Sequence, residues 1–166
     1  MAGVSQNEQW LNTPEYKEGF KLLEQHDLVL EALALAHHVN AIAGIAKSFP
    51  ELRIVLNHAA KPGTNDLPRW VDDIRTMASL ENTYCKVSGF TQQSSESEHH
   101  QRVFDTLLTV FGPSRLLWGS DYPVLMETSD YGSWLHSSER LWTALSAHEI
   151  TQIEHGTASR LYKLTL

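Results

Sequence analysis

Short apolar stretches alternate with longer amphipathic stretches along this chain, and that alternation limits the possible folds more than any other feature. Three stretches predict buried strands because they are rich in apolar side chains and end in turn-forming residues; they cover residues 53–58, 83–89 and 115–121. A fourth, residues 28–35, fits either a strand or the start of a helix. Strands that alternate with helices predict a parallel sheet covered by helices.

The intervening stretches carry apolar residues at helical spacing. Thr13-Pro14-Glu15 has the composition of a helix start, with proline at the first helical position and an acid in the first turn. The spacing predicts helices over residues 14–25, 39–48, 70–79, 101–111, 131–145 and 147–161. Gly112-Pro113 stops the fourth of these helices.

The predicted fold class is α/β, with one domain over residues 1–166. The 42% content of hydrophobic residues is enough for one ordinary core. A closed eight-stranded barrel typically needs about 250 residues, and only three or four strands are visible here. The residues alone therefore leave two architectures open, a half-barrel and a small open α/β sheet.

Charge and cysteine content exclude several classes of partner and compartment. The net charge is −7, the acidic residues are scattered and no basic run occurs, so neither a nucleic acid nor an anionic membrane is expected as a partner. The single cysteine, Cys85, excludes an internal disulfide framework. The polar N-terminus does not resemble a signal peptide, and no stretch is apolar enough to span a bilayer. We expect a cytoplasmic protein.

Candidate reactive groups stand where three of the predicted strands end. His58, the Lys86-Val-Ser88-Gly89 turn and Asp121 follow successive strands. Because the carboxyl ends of parallel strands meet at one edge of a sheet, these side chains are expected to share a rim. Asp121 could take a proton from an attacking water, or could cap its own turn through an Asx hydrogen bond. His58 could bind zinc, stabilise an oxyanion, or be a buried histidine bonded to backbone.

The other candidates are more ambiguous. Lys86 could balance an anionic substrate or pair with a neighbouring carboxylate. Cys85 would point to the opposite face of its strand, which indicates a core residue. One ring of His37-His38 could face the site while the other packs, whereas His99-His100 is expected in a solvated polar loop. Trp134 and Trp142 are expected in the core or an interface.

Three motifs resemble those of the amidohydrolase-related lactonases, in the same order and spacing. Residues 52–62, Leu-Arg-Ile-Val-Leu-Asn-His-Ala-Ala-Lys-Pro, are similar to the family's Leu-Arg-x-Val-x-Asp-His-x-Gly-Lys-Pro. Residues 82–89, Asn-Thr-Tyr-Cys-Lys-Val-Ser-Gly, are similar to Asn-Val-x-x-Lys-Leu-Ser-Gly. Residues 111–123, which end in Trp-Gly-Ser-Asp-Tyr-Pro, resemble Phe-Gly-x-x-Arg-x-x-Phe-Gly-Ser-Asp-Trp-Pro and are the most specific match.

The resemblance implies a partial TIM (β/α)₈ barrel, roughly strands 5 to 8 with their helices, and hydrolysis of sugar-acid lactones or of pyrone dicarboxylate lactone. Asp121 matches the strand-8 aspartate that activates water. His58 matches the strand-6 histidine that binds metal or polarises the carbonyl, and His37 falls near the strand-5 histidine on a weaker local match. The implied metal set is His58, His37 and Asp121 around a divalent ion such as zinc, with a metal-free site as the alternative; the implied substrate contacts are Lys86 and Ser88.

The chain also departs from the family pattern. The opening Asp-x-His-x-His of strand 1 has no counterpart, so strands 1 to 4 are expected to be missing. Two hypotheses follow. One is a lactone hydrolase with a small-molecule substrate and Asp121 as base. The alternative is a catalytically inactive half-barrel or pseudoenzyme that serves as a binding or assembly module, with self-association through its open sheet edges and uncovered inner face.

Overall fold

A computed structural model describes residues 13–165, and in it four strands form one parallel sheet in the order β1-β2-β3-β4. The strands are β1 (Val29–Ala32), β2 (Arg53–Leu56), β3 (Thr83–Val87) and β4 (Leu116–Trp118). The stretch that was compatible with a strand or a helix therefore forms the strand β1. The prediction of an α/β fold with a parallel sheet is confirmed.

Seven α-helices connect and follow the strands within this range. They are α1 (Pro14–Gln25), α2 (Val39–Ser48), α3 (Leu67–Ala78), α4 (Ser97–Phe111), α5 (Tyr131–Leu141), α6 (Ala147–Thr151) and α7 (Thr157–Leu161). Helix α4 begins four residues before the predicted start, and the predicted helix over residues 147–161 is interrupted by a π-helical turn, Gln152–Gly156.

One face of the sheet carries the main core. Adjacent strands pair in register, for example Ile54 with Thr83 and Cys85 with Leu116. Alternate residues such as Ile54, Cys85 and Leu116 are fully buried and belong to the same apolar cluster as residues of the helices, for example Phe104 of α4 and Trp134 of α5. The prediction of core positions for Cys85, Trp134 and Trp142 is confirmed, since each is at least nine-tenths buried.

The C-terminal segment covers part of the other face. Leu161 is buried against Val55 and Leu117, and the Arg53 guanidinium donates to the Leu161 carbonyl at 2.7 Å. The expectation of an uncovered inner face is therefore wrong for this part of the sheet. The reason is that α7 and the residue after it lie against this face, so that the apolar side chains of Ala158, Leu161 and Tyr162 fill the space.

The edges of the sheet remain open in residues 13–165. There, β1 pairs only with β2, and β4 pairs only with β3. Among these residues no helix combines the length and apolar character needed to cross a membrane. The polar N-terminus, for which the sequence predicts no signal peptide, lies outside the described residues.

Candidate functional site

The turn that follows β2 presents His58 in an uncommon backbone conformation. Residues His58, Ala59, Ala60 and Lys61 all have positive φ, between 52° and 60°. Such left-handed conformations are uncommon for residues with a Cβ and cost free energy. Trp70 of α3 stabilises the turn, because its buried indole Nε1 donates to the Ala59 carbonyl at 2.8 Å. Strained backbone held in place by its surroundings is a recurring property of functional sites.

The turn after β3 supplies two neighbours of the His58 imidazole. The Nδ1 atom lies 2.8 Å from the Ser88 hydroxyl, and Ser88 is fully buried. Gly89 has φ +67°, and a Cβ built on it would lie 2.8 Å from His58 Nδ1. Glycine is therefore required at this position both by the backbone conformation and by the space that the imidazole occupies.

Asp121 meets His58 from the turn after β4. Its Oδ1 lies 3.4 Å from His58 Nε2, and the two side chains are only 10% and 14% exposed. Its Oδ2 accepts a hydrogen bond from Gln92 Nε2 at 2.9 Å. In the same turn, the Tyr122 amide donates to the Ser120 hydroxyl. The Asp121 carboxylate thus interacts with side chains from the turns after β2 and β3. The Asx alternative would instead have this carboxylate accept a hydrogen bond within its own turn.

Two conformational details bring these groups together. Asp121 itself has φ +59°, and Gly119 lies close to Lys86 and Ser88, with 3.3 Å from a built Cβ to each of those side chains. Gly119 therefore permits the backbone to approach these two side chains closely. The predicted shared rim is present for His58, Ser88 and Asp121.

Burial is the main cause of a lowered pKa of His58. The Asp121 carboxylate acts in the opposite direction and raises this pKa, whereas Lys61 and Lys86 lower it further. Burial likewise lowers the pKa of His100, while its contact with Ser94 acts in the other direction. Both imidazoles are therefore predominantly neutral near pH 7.

These shifts predict a loss of stability in mild acid. A histidine whose pKa is lower in the folded protein binds more protons in the unfolded protein. Its contribution to stability is therefore complete above its ordinary pKa of about 6.5, and it is lost as the pH falls toward the pKa of the folded state. We expect Tm at about pH 5.5 to lie about 2–4 °C below Tm at about pH 7.5. Thermal unfolding followed by circular dichroism measures the difference.

The contribution of one buried imidazole can be isolated by substitution. His100→Gln should flatten the pH dependence of Tm, because it removes one titrating group. His136→Gln is the matched control, since the His136 side chain is 70% exposed. An unchanged slope in the His100 variant would contradict this assignment.

Lys86 lies beside the site but already has a charged partner. Its ammonium lies 2.7 Å from a Glu31 carboxylate oxygen, and the hydroxyl of Tyr162 donates to the other oxygen of Glu31. Burial is the main cause of a raised pKa of Tyr162, and the Glu31 carboxylate adds to it. Of the two roles that the sequence left open for Lys86, pairing with a carboxylate is the one present here.

A cavity of about 400 Å³ adjoins these groups. His58, Ser88 and Asp121 line one part of it, and Lys86 and Tyr162 line another. The C-terminal segment thus contributes to the cavity wall as well as covering the sheet. A cavity of this size fits a small polar molecule.

Two further histidine expectations have different outcomes. His37 is exposed and its ring lies against that of His38, which is buried. In residues 13–165 no three His, Cys, Asp or Glu side chains form a group that could hold a metal ion, so His37 is not brought together with His58 and Asp121. Burial raises the pKa of the Cys85 thiol to about 12, consistent with a core residue.

The expectation of a solvated His99-His100 is wrong. Both side chains are more than nine-tenths buried near the start of α4. His99 Nε2 lies 3.0 Å from the Pro62 carbonyl, and His100 Nε2 lies 2.8 Å from the Ser94 carbonyl. The surrounding polar sequence concealed that these rings hold neighbouring loops together.

Three residues of the site were not among the sequence candidates for it: Glu31, Gln92 and Tyr162. Glu31 belongs to the stretch whose strand assignment was open, and Tyr162 approaches the site only because the C-terminal segment crosses the sheet. Gln92 had a usable signal. It comes four residues after Ser88, in the turn that leaves the same rim.

Several known proteins are similar to this chain in sequence. The profile of the Amidohydrolase family matches residues 3–164. An L-fucono-1,5-lactonase of Burkholderia ambifaria is 34% identical over an alignment of 137 residues that covers 78% of this chain and 47% of that protein. An L-fucono-1,5-lactonase of Burkholderia multivorans is 28% identical over 93% of this chain and 58% of its own length. The chain therefore spans about half the length of the curated relatives it matches.

Solved structures share the fold. A zinc-bound amidohydrolase from Burkholderia multivorans superposes with a TM-score of 0.93 at 27% identity, over 98% of this chain and 62% of its own. A putative 2-pyrone-4,6-dicarboxylic acid hydrolase from Pseudomonas putida gives 0.83 at 19% identity, over 99% and 61%. The four parallel strands thus correspond to part of a larger fold. With nearly its whole length matched by the family profile, the chain belongs to the amidohydrolase family.

Proposed function

We propose that this chain carries the water-activating part of a sugar-acid lactone hydrolase, with Asp121 as the general base. The observation that carries the proposal is the pairing of Asp121 with the largely buried His58, 3.4 Å apart beside a cavity at the carboxyl end of the sheet. A largely buried carboxylate with one oxygen held by Gln92 has its other oxygen directed toward His58. That geometry suits proton abstraction from a water molecule.

The proposed reaction consumes one water per lactone ring opened. Asp121 takes a proton from water while the water oxygen forms a bond to the lactone carbonyl carbon, which gives a tetrahedral oxyanion. The oxyanion collapses, the bond from that carbon to the ring oxygen breaks, and the proton held by Asp121 passes to the departing alkoxide. The product is the open hydroxy acid. In this sequence neutral His58 carries its proton on Nε2, which faces Asp121 Oδ1 and donates toward it, and its Nδ1 accepts a hydrogen bond from the Ser88 hydroxyl.

The proposed substrate class follows from the relatives and from the polarity of the cavity. Both curated lactonases are named for L-fucono-1,5-lactone, a ring bearing several hydroxyls. Lys86 lines the cavity and is paired with Glu31, so that a donor and an acceptor lie next to each other, a combination that suits sugar hydroxyls. On this basis we assign Lys86 to substrate contact, and we assign Ser88, which is buried beside His58 Nδ1, to support of the imidazole.

A divalent metal is compatible with only part of the described site. His58 and Asp121 provide two donors, whereas a catalytic zinc site takes three protein ligands. No group of three candidate ligands occurs in residues 13–165. The described residues therefore do not fit a zinc site by themselves, and the proposed steps use none.

The direct test is hydrolysis of L-fucono-1,5-lactone and related sugar-acid lactones, followed by proton release with the spontaneous rate subtracted. We expect hydrolysis by the wild-type protein above that of a matched Asp121→Asn protein. Equal rates for the two proteins on every lactone would overturn the proposal.

The open edges of the sheet support a second candidate function, assembly with another copy of this chain. Leu33 and Leu35, which follow β1, are 48% and 43% exposed. Beyond β4, Tyr122 and Met126 are also exposed. Free edges of a parallel sheet next to apolar side chains favour strand pairing between molecules. Two copies related by a two-fold axis would place β4 of each against β1 of the other.

Self-association is expected to be measurable by sedimentation velocity. We expect a dimer or larger species for the wild type, and a shift toward monomer for Leu33→Lys, because a charge beside β1 disfavours edge pairing. Leu22→Lys is the matched control, since Leu22 on α1 is 45% exposed. A wild-type monomer at all concentrations would exclude assembly through these edges.

A further inference from the structure

Gln92 and Lys61 form a hydrogen-bonded chain that ends on Asp121. Lys61 Nζ donates to Gln92 Oε1 at 3.1 Å, and Gln92 Nε2 donates to Asp121 Oδ2 at 2.9 Å. We propose that Gln92, oriented by Lys61, is a positioning residue that holds the Asp121 carboxylate with Oδ1 toward His58. This inference rests on the proposed role of Asp121 as base and extends it to residues that do not touch the water.

The chemistry of the three groups permits one orientation of the Gln92 amide. A lysine ammonium can only donate hydrogen bonds, and an ionised carboxylate can only accept them. Gln92 must therefore direct its carbonyl toward Lys61 and its amino group toward Asp121. A side chain without this pair of groups cannot connect the two in the same way, because an ionised glutamate offers no donor and leucine offers neither group.

Each of these three residues comes from a different turn at the rim. Lys61 ends the left-handed turn after β2, Gln92 ends the 3₁₀ turn Phe90–Gln92 after β3, and Asp121 follows β4. These two hydrogen bonds thus link the three turns through side chains. It fixes one carboxylate oxygen and directs the other toward His58, which is 3.4 Å away.

The buried histidines of α4 support the two turns that carry Lys61 and Gln92. His99 Nε2 bonds to the carbonyl of Pro62, the residue after Lys61. His100 Nε2 lies within 3.1 Å of the carbonyls of Phe90 and Ser94, on either side of Gln92. This gives a physical reason for two adjacent buried histidines in a polar stretch. Precise positioning of a catalytic group generally depends on such supporting contacts.

The positioning role predicts a particular kinetic pattern. Gln92→Leu should lower kcat for lactone hydrolysis about 10- to 100-fold with KM changed less than about 3-fold, because a misplaced base slows the chemical step without removing substrate contacts. Gln92→Glu should move the acid limb of the kcat–pH profile to higher pH, since one of two adjacent carboxyls then retains a proton. Removal of structural support alone would not shift that limb.

Gln101→Leu is the matched control. Gln101 Nε2 donates to Asp105 Oδ1 at 2.8 Å on α4, so this variant loses the same kind of amide–carboxylate hydrogen bond away from the rim. Its kcat should stay within about 2-fold of wild type. A kcat for Gln92→Leu that matches this control in an active enzyme would overturn the positioning role and leave the proposed function intact.

Crystal structures of wild type and Gln92→Leu provide a readout that does not need activity. We expect the Asp121 carboxylate to rotate away from His58 in the variant. If the wild type hydrolyses no lactone but the carboxylate still rotates, the positioning contact is supported and the proposed function fails. An unchanged carboxylate in the variant would contradict the inference even if activity fell.

Discussion

Replacement of Asp121 by asparagine is expected to lower kcat for lactone hydrolysis about 100- to 10,000-fold, the range found when a general base is removed. Asparagine keeps the shape of the side chain and can accept the hydrogen bond that Gln92 donates to Oδ2. It cannot take a proton from water near neutral pH. The loss should therefore fall on kcat, which steady-state kinetics with proton release as the readout would measure.

The control for Asp121→Asn is the same substitution at an exposed carboxylate. Asp105 lies on the exposed side of α4 and is hydrogen-bonded to Gln101. Asp105→Asn changes the net charge by the same amount and should leave kcat within about 2-fold of wild type. Retention of wild-type activity by Asp121→Asn would exclude the carboxylate as base, provided that both variants unfold at temperatures close to that of the wild type.

The parallel sheet was predictable because its signal is local. The stretches that became β2, β3 and β4 are apolar and end in turn-forming residues, which is how strands buried on both faces are recognised. The strand β1 was ambiguous because a short apolar run has no periodicity to separate strand from helix. Pairing with β2 decides the matter, and pairing is a tertiary property.

Part of the candidate site was predictable for a geometric reason. Carboxyl ends of parallel strands share one edge, so His58, Ser88 and Asp121 could be expected to lie together. The partners of these residues depend on longer paths of the chain. Tyr162 meets Glu31 only because the C-terminal segment crosses the sheet, and the burial of His99 and His100 depends on loops that fold over α4.

The substitution Gly89→Ala tests whether the turn after β3 must leave room for the His58 imidazole. Alanine at φ +67° costs about 1–2 kcal/mol, because its Cβ crowds the backbone in the left-handed region. Its Cβ would also lie 2.8 Å from His58 Nδ1, and overpacking of this kind costs about 1–3 kcal/mol. We expect a decrease of about 2–5 kcal/mol in the free energy of unfolding, measured by urea denaturation, together with a large loss of kcat.

Gly112→Ala separates backbone strain from displacement of His58. Gly112 also has a φ of +67°, with a ψ of 165°, a conformation found almost only in glycine, but nothing lies within 4 Å of a Cβ built there. This variant should lose about 1–3 kcal/mol of stability and keep wild-type kcat per folded molecule. Loss of kcat in Gly89→Ala alone would show that the turn after β3 must leave room for the imidazole. Equal loss in both variants would mean that activity follows stability, and that the contact between Gly89 and His58 has no separate part in the chemistry.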